Sequence, residues 1–280
     1  MEIRIGFEIA FACQQPTPML LTLRVHPMRA DDLIAPDIIT ADPPLAITDY
    51  RDGFGNICSR LVLPPGQTTF TSDAIIRDSG VPDPAVPDAR QHSVPDLAAE
   101  HLVFLLGSRY CETDRLSDLA WQLFGQTPEG WPRVQAICDY VHSHVTFGYE
   151  HARATRTAAD VFDERVGVCR DFAHLAVAFC RCMNIPARYV TGYLGDIGVP
   201  PDPAPMDFSA WFDVWLGDRW YAFDARHNVP RIGRVPIAVG RDASDVAISN
   251  SFGITNLVSF RVWTDEIVAE PWALDAAAAG

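Results

Sequence analysis

A cysteine at the entrance to a helix constrains this chain more than any other feature. In Arg165-Val-Gly-Val-Cys169-Arg-Asp-Phe-Ala-His174-Leu-Ala-Val-Ala-Phe-Cys-Arg-Cys-Met183, Gly167 provides a turn that delivers Cys169 onto a first helical turn. Phe172, Leu175, Ala176, Phe179 and Met183 recur every three to four residues, which predicts a helix with one buried face. Asn184-Ile185-Pro186 stops it, because proline cannot continue a helix and restricts the residue before it. Unpaired N–H groups and the positive end of the helix dipole favour a thiolate at such a position, so Cys169 is the expected nucleophile. The competing reading is a small buried packing residue, the commonest role of a free cysteine.

The rest of the composition narrows what such a cysteine could serve. A formal net charge of −14 argues against nucleic acid and against a polybasic membrane contact, both of which need a basic surface. There is no 18-residue apolar run to span a bilayer. Ile3, Ile5, Phe7, Ile9 and Phe11 alternate like a strand, and no signal peptide is expected there. Cys13, Cys58, Cys111, Cys138, Cys169, Cys180 and Cys182 are odd in number and lack a framework spacing, which suggests a reducing, cytoplasmic setting.

Residues 1–78 are expected to form an all-β sandwich domain. The alternation at 3–11 repeats at Met19, Leu21, Leu23 and Val25, Asp52-Gly-Phe-Gly-Asn56 marks a turn before a strand at Ile57–Leu63, and a further strand follows near Thr68–Arg77. Pro82, Pro84, Pro87 and Pro95 make 79–95 an extended linker. Helices are predicted over 96–106, from Thr113 to about Phe124, from Pro132 through Val141, and from Thr155 or Thr157 to near Glu164. Ala187–Leu194 reads as a strand, and strands are expected again around Arg234–Val239 and Leu257–Trp263. The core is expected to run over 96–270, with 271–280 a disordered tail.

Ser209–Leu216, Gly217-Asp218 and Arg219–Asp224 read as a hairpin on a two-residue turn. Its register pairs Leu216 with Arg219 and Trp215 with Trp220, so Ser209, Trp211, Asp213 and Trp215 share a face with Trp220, Ala222 and Asp224. Ser209 and Asp224 then become diagonal neighbours, roughly 7–8 Å apart at the backbone. Alone, Asp224 also fits an ordinary solvated strand end.

Gly-Val-Cys-Arg-Asp-Phe-Ala on a helix, Ile-Pro-Ala-Arg-Tyr-Val leading into a strand, and Ala-Trp-Phe-Asp-Val-Trp-Leu followed by Trp-Tyr-Ala-Phe-Asp resemble the transglutaminase-like superfamily over about residues 130–225. The β-region with Gln14-Gln15-Pro16-Thr17-Pro18 looks like the N-terminal β-domain of its bacterial members. The resemblance implies an α+β, papain-like fold: a helix-borne cysteine packed on an antiparallel sheet, preceded by the small β-sandwich. It also implies that Cys169 attacks an amide carbonyl and that Asp224 orients a histidine acting as base. The family's His-Ala-Trp, however, reads Ser209-Ala210-Trp211 here, and a serine hydroxyl is not a base near neutral pH.

Other histidines are then candidates for the base. His174 lies roughly 140° around the helix from Cys169. His227 has the wrong strand parity unless a turn re-aims it, and His151 precedes the short helix. His142 and His144 do not share a helix face. Two functional readings follow. One is a cysteine-dependent peptidase, amidase or transglutaminase-like acyltransferase with a triad lacking the usual histidine, acting on a peptide or protein substrate. The other is a non-catalytic module binding a peptide or partner protein in the same cleft. Trp211, with Trp215, Trp220 and Tyr221, offers aromatic contact area for substrate. No cofactor is expected. Cys180 and Cys182 splay apart on a helix, so no metal is expected either, and no Asp-x-Asp-x-Asp-Gly calcium loop is present.

Overall fold

In the computed structural model, which describes residues 1–268, the sandwich is built around its first strand, β1 (Glu2–Cys13). Its alternation buries Ile3, Ile5, Phe7, Ile9 and Phe11 on one face, as period-two patterning requires. β2 (Thr17–Leu21), β3 (Leu33–Ala35), β4 (Thr40–Asp42), β5 (Thr48–Arg51), β6 (Ile57–Leu63) and β7 (Gly66–Arg77) follow. A short α1 (Ala99–Leu102) continues into a 3-10 turn, replacing the longer helix expected over 96–106. Next come α2 (Thr113–Phe124), α3 (Trp131–His144), β8 (Thr146–Phe147), α4 (Ala158–Glu164), β9 (Val166–Gly167) and α5 (Cys169–Cys182). Of the two threonines proposed to start α4, Thr157 does so, in a capping box with Asp160.

The chain then enters β10 (Ala187–Tyr193), β11 (Ser209–Leu216), β12 (Arg219–Phe223), β13 (Val235–Gly240), β14 (Ser249–Ser251) and β15 (Asn256–Ile267). One sheet has the order β15-β1-β7-β3 with β4 also on β7, a second β14-β2-β6-β5, and a third β12-β11-β10-β13. The expected boundary is corrected here. β14 and β15 lie within the span assigned to the core, yet they pair with β2 and β1 and complete the sandwich. Ala173, Tyr189, Tyr193, Val235 and Ile237 share one apolar cluster with Ile3, Phe7 and Leu21, so sandwich and core are packed together. The predicted tail at 271–280 lies outside the described residues.

The hairpin has the expected register, Leu216↔Arg219 through Phe212↔Phe223. Gly217 (φ 52°) and Asp218 (φ 66°) are both left-handed, the pattern of a type I′ turn, whose twist matches that of the strands. Helix α5, by contrast, is buried on all sides from Asp171 to Cys182, not on one face. The third sheet covers one side of it, and α2, α3 and α4 cover the others.

Opposite Ser209, on β10, stands Gly192. A Cβ there would meet the Val235 carbonyl oxygen at 2.2 Å and the Trp211 ring at 2.8 Å. Gly192→Ala is therefore expected to cost about 1–3 kcal/mol, because backbone must move to admit it. Urea unfolding checks this; an unchanged midpoint would mean the two strands separate freely.

Candidate active site

The first turn of α5 is fixed by Asp171, a fully buried carboxylate. It accepts from Val168 N–H at 3.0 Å, from Arg156 Nη1 at 3.1 Å and from Arg170 Nη2 at 3.1 Å. Val166–Gly167 pairs in parallel with Thr146–Phe147, which holds the approach to the helix. Cys169 is thereby set at the helix start, partly exposed, beside Ala210 of β11.

Its ionisation differs from the expectation. Burial pushes the Cys169 thiol up to about 11, outweighing the pull of the Arg226 guanidinium and the Ala210 N–H, while Asp207 and Asp224 push it further up. The helix terminus does not yield a thiolate in the resting protein, because desolvation of the sulfur dominates.

Asp224 leaves the hairpin just after Phe223 and builds a turn of its own. Its Oδ1 accepts from the N–H groups of Arg226 (3.0 Å) and His227 (3.1 Å), and its carbonyl accepts from Asn228 N–H at 2.7 Å. This Asx-type turn reverses the parity that would have pointed His227 away. His227 Nδ1 comes to 2.8 Å from Asp224 Oδ2, so Nδ1–H donates to the carboxylate and Nε2 is left as the basic nitrogen. Arg234 Nη2 reaches the same oxygen at 3.1 Å, and Arg234 Nε holds Asp83 at 2.8 Å. Although burial opposes it, Arg234 and His227 hold the Asp224 carboxyl well below the usual carboxylate range.

Ser209 and His227 line one concavity of about 80 Å³, together with Tyr149, Asp207, Arg226 and Arg231. The structure thus brings His227 and Ser209 to one concavity with Asp224 behind the imidazole; Cys169 does not line it, but Arg226 and Asp207, which do, act on its thiol. Among the described residues, no imidazole is hydrogen-bonded to that sulfur, and the Ser209 side chain makes no hydrogen bond.

Other candidates lie elsewhere. His151 faces Glu150 (3.6 Å), away from this group. His174 is fully buried, stacked on Tyr110, and accepts from Ala243 N–H at 3.1 Å; burial lowers its pKa to about 3. Trp211, expected to touch substrate, is 2% exposed and packs with Val190 and Val239 under the Arg234 guanidinium, a core position with no face left for a ligand. Trp215 and Trp220 are covered by His101 and Phe104. Sequence reasoning missed Arg226 and Asp207; Arg226 sits two residues after a strand-end aspartate, a position whose N–H an Asx turn recruits.

Comparison with known proteins identifies the family. Residues 118–225 match the family model of the transglutaminase-like superfamily. An uncharacterized protein of Mycobacterium tuberculosis is 31% identical over 232 residues, covering 74% of this chain and 73% of that protein. An uncharacterized protein of Mycobacterium leprae is 37% identical over 91 residues, a match spanning about a third of its length (32%). A crystal structure of a "Putative Cysteine Protease" from Cytophaga hutchinsonii is 30% identical and superposes with a TM-score of 0.82, covering 96% of this chain and 92% of that one. The chain belongs to the transglutaminase-like superfamily. No helix among the described residues is long and apolar enough to cross a membrane.

Proposed function

We propose that the protein is a cysteine-dependent acyl-transfer enzyme acting on a peptide-like amide, with Cys169 as nucleophile and the Asp224–His227 pair supplying the base that position 209 lacks. The observation that carries this reading is the 2.8 Å contact between His227 Nδ1 and Asp224 Oδ2, with His227 lining the concavity whose Arg226 and Asp207 act on the Cys169 thiol. The similar structure described as a "Putative Cysteine Protease" supports the same chemistry.

In the reaction, Cys169 Sγ attacks the amide carbonyl carbon while its proton passes to His227 Nε2. The C–N bond then breaks, and the same proton goes to the departing amine. Water or an amine attacks the resulting thioester, gives its proton to His227, and releases the thiol. The N–H groups of Cys169 and Arg170, which have no backbone acceptor among the described residues whereas the Val168 carbonyl takes those of Asp171 and Phe172, are assigned to the oxyanion. Because burial keeps the resting thiol protonated, the proton leaves as the C–S bond forms, not beforehand.

That order has a measurable consequence. With the thiol near 11, about one Cys169 in ten thousand is thiolate at pH 7, against roughly three in a hundred for a free thiol near 8.5. Alkylation by iodoacetamide in the free protein should run about 300-fold below that of a small thiol and rise tenfold per pH unit up to pH 10. Turnover of a peptide amide, by contrast, should be measurable at neutral pH and should leave a thioester on Cys169 in intact mass. Alkylation that levels off below pH 8 would overturn the assigned order of proton transfer.

The burial of the thiol also favours a second reading, a non-catalytic peptide-binding module on the same scaffold. It holds if no amide is turned over by the parent and Ser209→His creates hydrolysis that the parent lacks.

A further inference from the structure

Arg226 differs from the arginines around it. Arg156 and Arg170 pair with Asp171, Arg231 faces Asp196 at 3.6 Å, and Arg234 pairs with Asp83 and Asp224. The Arg226 guanidinium lies 3.8 Å over the Phe147 ring, and among the described residues no carboxylate comes within 4 Å of it. Its position is nevertheless fixed, since its N–H is held by Asp224 and its carbonyl accepts from His142 Nδ1 at 2.9 Å. Asp207 is the opposite case. Its carboxylate accepts from the adjacent Phe208 N–H at 2.6 Å and has no cation within 4 Å among the described residues. Burial pushes its carboxyl up.

Both side chains line the concavity of Ser209 and His227, and both act on the Cys169 thiol, in opposite directions. Arg231, 5% exposed, lines the same space with its Nε unpartnered. Asp196 and Asp202 line the same space, but Asp196 faces Arg231 and Asp202 is exposed and accepts from Ala204 N–H at 2.9 Å. The Arg226 and Asp207 charges, held apart in one partly desolvated space and neither neutralised by protein, are complementary to a ligand that carries both. An amide in the middle of a protein chain carries neither and would leave both charges unmatched.

Resting on the acyl-transfer reading above, we propose that the site takes free-ended amides: an amino-acid amide or short peptide whose carboxylate pairs with Arg226 and whose ammonium pairs with Asp207, a few bonds from the scissile carbonyl. Arg226 and Asp207 are thus assigned as specificity-determining residues, with small peptidic amides and not folded proteins as the substrate class.

The test compares γ-L-glutamyl 4-nitroanilide, which carries both charges, with its N-acetyl and α-methyl ester derivatives. Each block is expected to lower kcat/KM by about 10- to 100-fold, the scale of one charge-assisted contact. Asp207→Asn should erase the penalty for acetylation and keep that for esterification, and Arg226→Gln should do the reverse. A protein that turns over blocked and free probes alike overturns the inference and leaves the acyl-transfer reading intact. If no probe is turned over, protection of Cys169 from iodoacetamide over a long incubation at about pH 8, where the amine of free glutamine is still an ammonium, decides. Protection by L-glutamine and not by N-acetyl-L-glutamine methyl ester, with the same variant pattern, supports the site while the acyl-transfer reading falls. Equal protection by both, or by neither, overturns the inference.

Discussion

Replacing His227 by asparagine is expected to lower amide turnover by about 10²–10⁴-fold, the usual contribution of a positioned general base. Asparagine keeps a donor near the place of Nδ1, so the 2.8 Å contact to Asp224 and the turn it anchors can persist. What it removes is the nitrogen that would accept the thiol proton. The thermal midpoint should therefore stay within a few degrees of the parent while kcat falls. Alkylation of Cys169 should keep its dependence on pH, since that is set mainly by burial of the sulfur. Unchanged turnover in this variant would remove His227 from the mechanism.

The largest effect on stability is expected at Asp171. Asp171→Ala strips two arginines and the Val168 N–H of their shared acceptor, leaving Arg156, itself 5% exposed, with Glu164. Removing one partner of a buried ionic network costs about 3–5 kcal/mol, because the charges left behind are neither solvated nor paired. For a chain of this size that is a fall in melting temperature on the order of 10 °C. Asp171→Asn, which keeps one acceptor oxygen, should lose less. Differential scanning calorimetry separates the two, and equal midpoints for parent and Asp171→Ala would show that the network carries no stability. Because Val168 precedes Cys169 directly, alkylation of the cysteine should also change in Asp171→Ala.

Features governed by local periodicity were legible in the chain itself. Period-two alternation and Gly217-Asp218 set the hairpin ladder residue by residue, since a one-residue slip would turn Phe212 and Val214 out of the core. Asn184-Ile185-Pro186 marked the end of α5 closely, because proline acts on its immediate neighbours. What was hidden depends on distant residues. The raised thiol of Cys169 comes from what packs around it, including Asp207 and Arg226, which no helix pattern contains. Trp211 looked available because strand parity gives a face but not what covers that face. His227 was partly legible: aspartate is a residue that turns the chain locally, and Asp224 recruits the N–H groups two and three positions on.

The pairing of β15 with β1 also bears on when this protein can fold. Every residue of β1 from Glu2 to Ala12 has a partner between Asn256 and Ile267, and the residue left over at the bulge, Val258, lies on β15. β1 therefore waits for a strand made far later, and the edge that β15 covers stays open while everything between the two is synthesised. Pairing over such sequence separation is slow, and an unpaired edge is prone to join other chains meanwhile. Cys169 can be set in its helix by local contacts, but the apolar cluster it adjoins includes Ile3 and Val262 and closes only when β1 and β15 meet. A nascent chain should consequently complete the surroundings of Cys169 late, after Asp224 and His227 have been made.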